Sequence, residues 1–150
     1  MSQVREDILS KVHSTLNDLR EDSSYPLTVA SVFRYDKNVT TEADFRSPMI
    51  MVLDPGEDEE RHQDDTHYRY WMPITIRGFI RNDTSIDMQQ QLNLLISFIK
   101  QWIDSVPDLG SDVADIRFLN GAANRFSEDD SVADCIINAR ITYWATAGSF

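Results

Sequence analysis

Two histidines, His62 and His67, bracket the carboxylates Asp64 and Asp65. Imidazole and carboxylate are the donor types that hold zinc and other divalent ions. Their spacing argues against a site. It matches neither a helical His-x-x-x-His pair nor a calcium loop, which needs alternating acids, a central glycine and a distal bidentate glutamate. Asp54-Pro55-Gly56-Glu57-Asp58 lacks that order as well. The expectation is a solvated loop that binds no metal.

The next candidate is a thiol. Cys135 is the single cysteine, which excludes an internal disulfide and a Cys-x-x-Cys zinc pattern. It falls on the apolar face of an alternating stretch, so an inert, buried thiol is expected rather than a nucleophile. His13 lies between apolar positions of a helical pattern and reads as a boundary residue. Phosphate-cradling Gly-x-x-x-x-Gly-Lys-Ser/Thr, Gly-x-Gly-x-x-Gly and Gly-x-Ser-x-Gly turns do not occur, and the five glycines do not cluster. The sequence therefore predicts no catalytic, cofactor-binding or metal-binding residue and no enzymatic activity. Function is expected in surfaces and partners.

Charge narrows the partners. Lys and Arg number 14 against 25 Asp and Glu, a formal net charge of −11. Nucleic-acid binding needs clustered cations to displace counterions, and anionic membranes need them too. An acidic surface does let DNA pass without sticking. No apolar run reaches the roughly 18 residues of a membrane span. The opening Met1-Ser2-Gln3-Val4-Arg5-Glu6-Asp7 carries acids early with no apolar stretch behind it, so no signal peptide is expected. A reducing cytoplasm is the expected site of synthesis.

The elements that would position these residues follow from periodicity. Val4, Ile8, Val12, Leu16 and Leu19 recur at helical spacing, predicting a helix over about residues 3–21 that Tyr25-Pro26 ends. Residues 27–35 alternate as a first strand, and the unbroken apolar run 48–53 reads as a strand buried on both faces. The acidic stretch 54–66 then forms the loop of a long hairpin whose second arm, 67–81, alternates throughout. Pro73 marks an edge position or a bulge in that arm, and Gly78 a bend. Met88, Leu92, Leu95, Ile96, Ile99, Trp102, Ile103 and Val106 give the strongest helical stripe, closed by Pro107 and Gly110. Residues 113–119 and 133–143 supply two more strands. The expected architecture is a single α+β domain: a mixed, largely antiparallel sheet of about five strands with two main helices, in the order α-β-β-β-α-β-β.

One face of the long arm carries Arg69, Trp71, Thr75, Arg77, Phe79 and Arg81, residue types enriched where proteins meet. Base stacking or cover by a helix of the same chain are the other readings of such a face. Two acidic blocks, Glu57, Asp58, Glu59, Glu60, Asp64 and Asp65, then Glu128, Asp129 and Asp130, fall at turns of the sheet.

The layout resembles the tail-terminator (tail-completion, minor tail) proteins of tailed bacteriophages nearly end to end. The short first helix, the Pro-led strand Pro48-Met49-Ile50-Met51-Val52-Leu53, the long strand running into the Leu/Ile helix, and the closing Arg140-Ile141-Thr142-Tyr143-Trp144 carry it. The resemblance implies a ring, usually hexameric, on the head-proximal end of the tail tube. That ring stops tube polymerisation and offers a surface to the head connector, with no catalytic residue. Expected partners are other copies of the chain, the tube protein and the connector or neck protein, with DNA passing through unbound. The expected location is the virion tail or neck, after assembly in the host bacterial cytoplasm. Arg69, Trp71, Arg77, Phe79, Tyr143, Trp144 and Phe150 are the expected oligomer or partner contacts, and the two acidic blocks the lumen or rim. A neck or head-completion protein is the nearest alternative. A small ligand-binding or enzymatic domain, or a peptide-binding module using a strand edge, fits less well.

Overall fold

The computed structural model describes residues 4–26, 28–34, 47–54, 59–63, 67–81, 88–121, 125–126 and 132–146, with side chains for all but 59–63, 67–68, 125–126 and 146. Among them run α1 (Val4–Asp18), β1 (Ser31–Phe33), β2 (Met49–Leu53), β3 (Glu59–Gln63), β4 (His67–Arg81), α2 (Met88–Asp104), β5 (Val113–Gly121), β6 (Arg125–Phe126) and β7 (Val132–Thr146). The strands join one mixed sheet in the order β1-β2-β4-β7-β5, with β3 added to β4 and β6 to β7. β1 runs parallel to β2, and every other pairing is antiparallel. The fold is α+β.

The spine is the β4–β7 ribbon, paired without interruption from His67↔Thr146 to Arg81↔Val132. Alternation gives it two chemically different faces. Tyr70, Met72, Ile74, Ile76 and Ile80 on β4, with Ala133, Cys135, Ile137, Ala139, Ile141, Tyr143 and Ala145 on β7, face the main core. Both helices lie on this side, contributing Ile8, Leu9, Val12 and Leu16 from α1 and Leu92, Leu95, Phe98, Ile99 and Trp102 from α2. Small residues let α2 come close. A Cβ on Gly78 would stand 2.5 Å from Leu95 Cδ2 and 3.0 Å from Cys135 Sγ. The predicted bend at Gly78 is thus a close helix–sheet approach inside a strand that stays paired.

The helices are tied to one another and to β1 by polar contacts at the core margin. Trp102 Nε1 donates to Thr15 Oγ1 at 3.1 Å, and Thr15 Oγ1 donates to the Lys11 carbonyl at 2.7 Å. Arg20 Nη1 donates to the Ala30 carbonyl at 3.0 Å, and His13 Nε2 lies 2.9 Å from the Val32 carbonyl. Outside these, Arg5 pairs with Asp54, and Arg34 Nη2 reaches Glu6 Oε2 at 3.1 Å. The Arg34 hydrogen bond holds the Glu6 carboxyl below its ordinary range, and Glu6 in turn pushes Arg34 up.

Two sequence expectations change in detail, and the edge position expected of Pro73 is located. The first strand shrinks to Ser31–Phe33. Val29 is buried all the same, but the backbone around it is spent on bonds to Arg20 and Pro48. A strand, β3, lies within the expected acidic loop, pairing Glu59↔Trp71 and Gln63↔Tyr68. Pro73 sits in a central strand, where β3 partners stop at Trp71 and β2 partners begin at Thr75. β4 is locally an edge there, which suits a residue with no N–H to offer.

Helix α2 ends sooner than the apolar stripe suggests. Val106 lies beyond it with φ of 53° and 77% of its surface exposed. A β-branched residue rarely adopts that left-handed conformation. Val106→Gly is expected to raise the unfolding free energy by about 0.5–1 kcal/mol, since glycine takes this φ without a Cβ penalty. A urea denaturation midpoint that falls would contradict this account of the helix end.

Candidate assembly surface

The second face of the ribbon is not part of the helix-covered core. β4 places Arg69, Trp71, Pro73, Thr75, Arg77, Phe79 and Arg81 on it, and β7 places Val132, Asp134, Ile136, Asn138, Arg140, Thr142 and Trp144 opposite. Its residues fall into two zones. Toward β2, Met49, Met51, Phe79 and Val132 form a small buried cluster with Phe33 and Leu53 packed against it. This is why the 48–53 run shows no alternation: Ile50 and Val52 enter the main core while Met49 and Met51 enter this one.

Around and beyond that cluster the face is built from cations laid on rings. The Arg140 guanidinium carbon stands 3.7 Å from the Trp71 ring centroid, and that of Arg69 stands 5.9 Å from Trp144. Arg77 lies 4.8 Å from the Phe79 ring and pairs with Asp134 at 2.9 Å. Guanidinium over an aromatic face is electrostatically attractive and holds a long side chain flat against the sheet. Between these pairs Thr75 Oγ1 donates to Asn138 Oδ1 at 2.9 Å, and Asn138 Nδ2 donates to Asn120 Oδ1 at 2.8 Å. Such a surface is polar at its edges, aromatic within, and positively charged.

The expected contact residues therefore separate. Arg69, Trp71, Arg77 and Trp144 share this face and are half-buried. Phe79 shares it but is only 3% exposed, in the small cluster. Tyr143 does not belong to it. One step along β7 from Trp144, it points into the main core, fully buried and stacked on Tyr70 with centroids 5.3 Å apart. Phe150, Asp58, Glu57, Asp64, Asp65, Glu128, Asp129 and Asp130 lie outside the described residues, and Glu59 and Glu60 are described only as β3 backbone. The arginine that sequence reasoning missed is Arg140, because its place above Trp71 depends on the β4–β7 register.

Cys135 is buried between β7 and α2, and desolvation pushes its thiol up to about 12. The thiolate is the reactive form, so its fraction at pH 8 falls about a thousandfold relative to an ordinary thiol. Iodoacetamide at pH 8 is expected to leave the native chain unmodified and to label it fully in denaturant. Rapid native labelling would contradict the buried placement. Among the described residues no group of three or more His, Cys, Asp and Glu is placed to hold a metal ion. A cleft of about 240 Å³ opens between α1 and the turn at Leu109–Asp112, lined by Asp7, Ser10, Lys11 and Asp112 among others. No helix among the described residues is long and apolar enough to cross a membrane.

No protein-family model matches the chain. No curated protein matches it either. Solved structures do: a chain from the "Virion of native gene transfer agent (GTA) particle" aligns with a TM-score of 0.61 at 10% sequence identity, covering 92% of this chain and 98% of that one. At that identity the likeness is one of fold.

Proposed function

We propose that the chain is a structural protein of a phage-like virion. In this reading it assembles as a ring on the head-proximal end of the tail tube, ends tube growth and presents the joining surface for the head connector. The observation that carries the reading is the near end-to-end likeness of fold to a chain of a gene transfer agent virion. The order of elements read from the sequence, which resembles that of tail terminators, is a separate support for the finer role.

The surfaces support it physically. A closed homomeric ring needs one patch of each copy to meet a different patch of the next. The half-buried arginine–aromatic face offers such a patch. Strand edges are poor alternatives: β5 is interrupted by register shifts between Val113 and Asp115 and between Phe118 and Asn120, and β3 by one between Glu60 and His62. Bulges and charges on edge strands oppose edge-to-edge pairing. With a net charge of −11, a ring whose acidic blocks line or rim the opening repels DNA phosphates and lets the duplex slide.

Native mass spectrometry with negative-stain imaging of the purified protein tests the ring. A closed ring of one stoichiometry, alone or with tubes present, is expected. A chain that stays monomeric in both settings contradicts the proposal. A ring that joins the portal side but ignores tubes transfers the reading to a neck protein.

A further inference from the structure

The β5–β7 register places Arg117 directly opposite Arg140. Neighbouring Ile116 and Phe118 pack toward the main core, so Arg117 projects from the same side as Arg140, away from the helices. Like charges directly opposite one another weaken a sheet. The chain is also short of cations, with 14 against 25 acids. Yet along β4, β5 and β7 register assigns five arginines to this one face, Arg69, Arg77, Arg81, Arg117 and Arg140, against two carboxylates, Asp115 and Asp134. The remaining residues of the chain count 9 basic against 23 acidic. A local rule broken in this way marks a surface shaped by something other than folding.

The rest of the face says what kind of partner fits. Arg140 and Arg69 are held over Trp71 and Trp144. Arg117 is exposed, and Leu119 beyond it on β5 is 44% exposed. Guanidinium forks call for carboxylates, and Trp, Arg and an apolar neighbour are what central interface positions use. We propose that this face binds the acidic surface of a second copy of the chain, as the contact between neighbours in the ring. This deepens the ring reading and rests on it. Charge complementarity selects the occupant: outside this face, each copy carries the carboxylates that the face lacks. Nucleic acid suits it less. Its continuous phosphate charge meets the field of the whole acidic chain, whereas a neighbour's carboxylates are placed locally.

The test uses the full-length protein, wild type, Arg117→Glu and Arg117→Lys, with circular dichroism to confirm folding. Assembly is followed by analytical ultracentrifugation across a salt series, with and without tubes, and binding of a labelled single-stranded oligonucleotide by anisotropy. The wild-type ring is expected to dissociate as salt rises. Arg117→Glu is expected to weaken assembly about tenfold or more, Arg117→Lys to stay close to wild type, and the oligonucleotide not to bind. Unchanged assembly of a folded Arg117→Glu chain overturns this contact and leaves the ring reading standing. Oligonucleotide binding that depends on Arg117 overturns the choice of occupant. A wild-type chain that stays monomeric even with tubes removes the ring reading, and this contact falls with it.

Discussion

Trp102→Ala is expected to cost about 3–5 kcal/mol of stability and to lower the melting temperature by about 10 °C. Trp102 is fully buried on α2 and belongs to the core that joins both helices to the sheet. Truncation removes the apolar area of an indole and leaves a cavity that α2, held to the segment after α1 by Tyr25–Phe98 and Gln101–Ser24 contacts nearby, cannot close. It also deprives Thr15 Oγ1 of the indole N–H, although Thr15 keeps its own bond to the Lys11 carbonyl. Trp102→Phe, which keeps most of the volume, is expected to recover more than half of the loss. Guanidinium denaturation followed by far-ultraviolet circular dichroism measures both. A loss under about 1 kcal/mol for Trp102→Ala would mean that α2 is not packed as described.

Gly121→Ala is the second large effect, about 3 kcal/mol, by a different route. Gly121 closes β5 with φ of 134° opposite Ile137. A Cβ there would stand 2.2 Å from the Ile136 carbonyl oxygen and 2.7 Å from Ile137 Cα. Both obstacles are backbone of β7, so no rotamer change relieves them, and the φ itself disfavours any side chain. The strand end must peel away. Hydrogen exchange is expected to show faster exchange at the C-terminal end of β5, while the β4–β7 ladder keeps its protection. Equal protection of β5 in the variant and the wild type would contradict the close approach. Because β5 carries Arg117 beside Arg140, the same substitution is expected to loosen the assembly face.

These two residues show where sequence reasoning reaches and where it stops. Trp102 stood on a helical stripe whose period announced burial, and α2 formed over Met88–Asp104. The alternation of β4 announced its full span, His67–Arg81, because each second residue had one chemistry. Cys135 was legible as buried for the same reason. Gly121 was not legible, because its constraint is the nearness of another strand's backbone. β3 was hidden by its composition: Glu59-Glu60-Arg61-His62-Gln63 holds no apolar residue to alternate, and its backbone pairing to β4 makes the strand.

The candidate face was half legible. Alternation put Arg69, Trp71 and Arg77 together, yet it should also have parted Tyr143 from Trp144, since adjacent strand residues face opposite ways. The Arg117–Arg140 juxtaposition depends on a register shifted twice by irregularities in β5, which no periodicity in the sequence reports. Charge patterning was readable as composition, but its concentration on one face emerges only from pairing.

The most direct measurement is the length of tail tubes assembled from the tube protein of the same particle, with and without this chain, scored by electron microscopy. Tubes grown with the protein are expected to be shorter, each bearing one ring-shaped density at a single end, and to stop elongating when more tube protein is supplied. Tubes of unchanged length with bare ends, at protein concentrations that saturate any binding, would contradict a role as the cap of the tube.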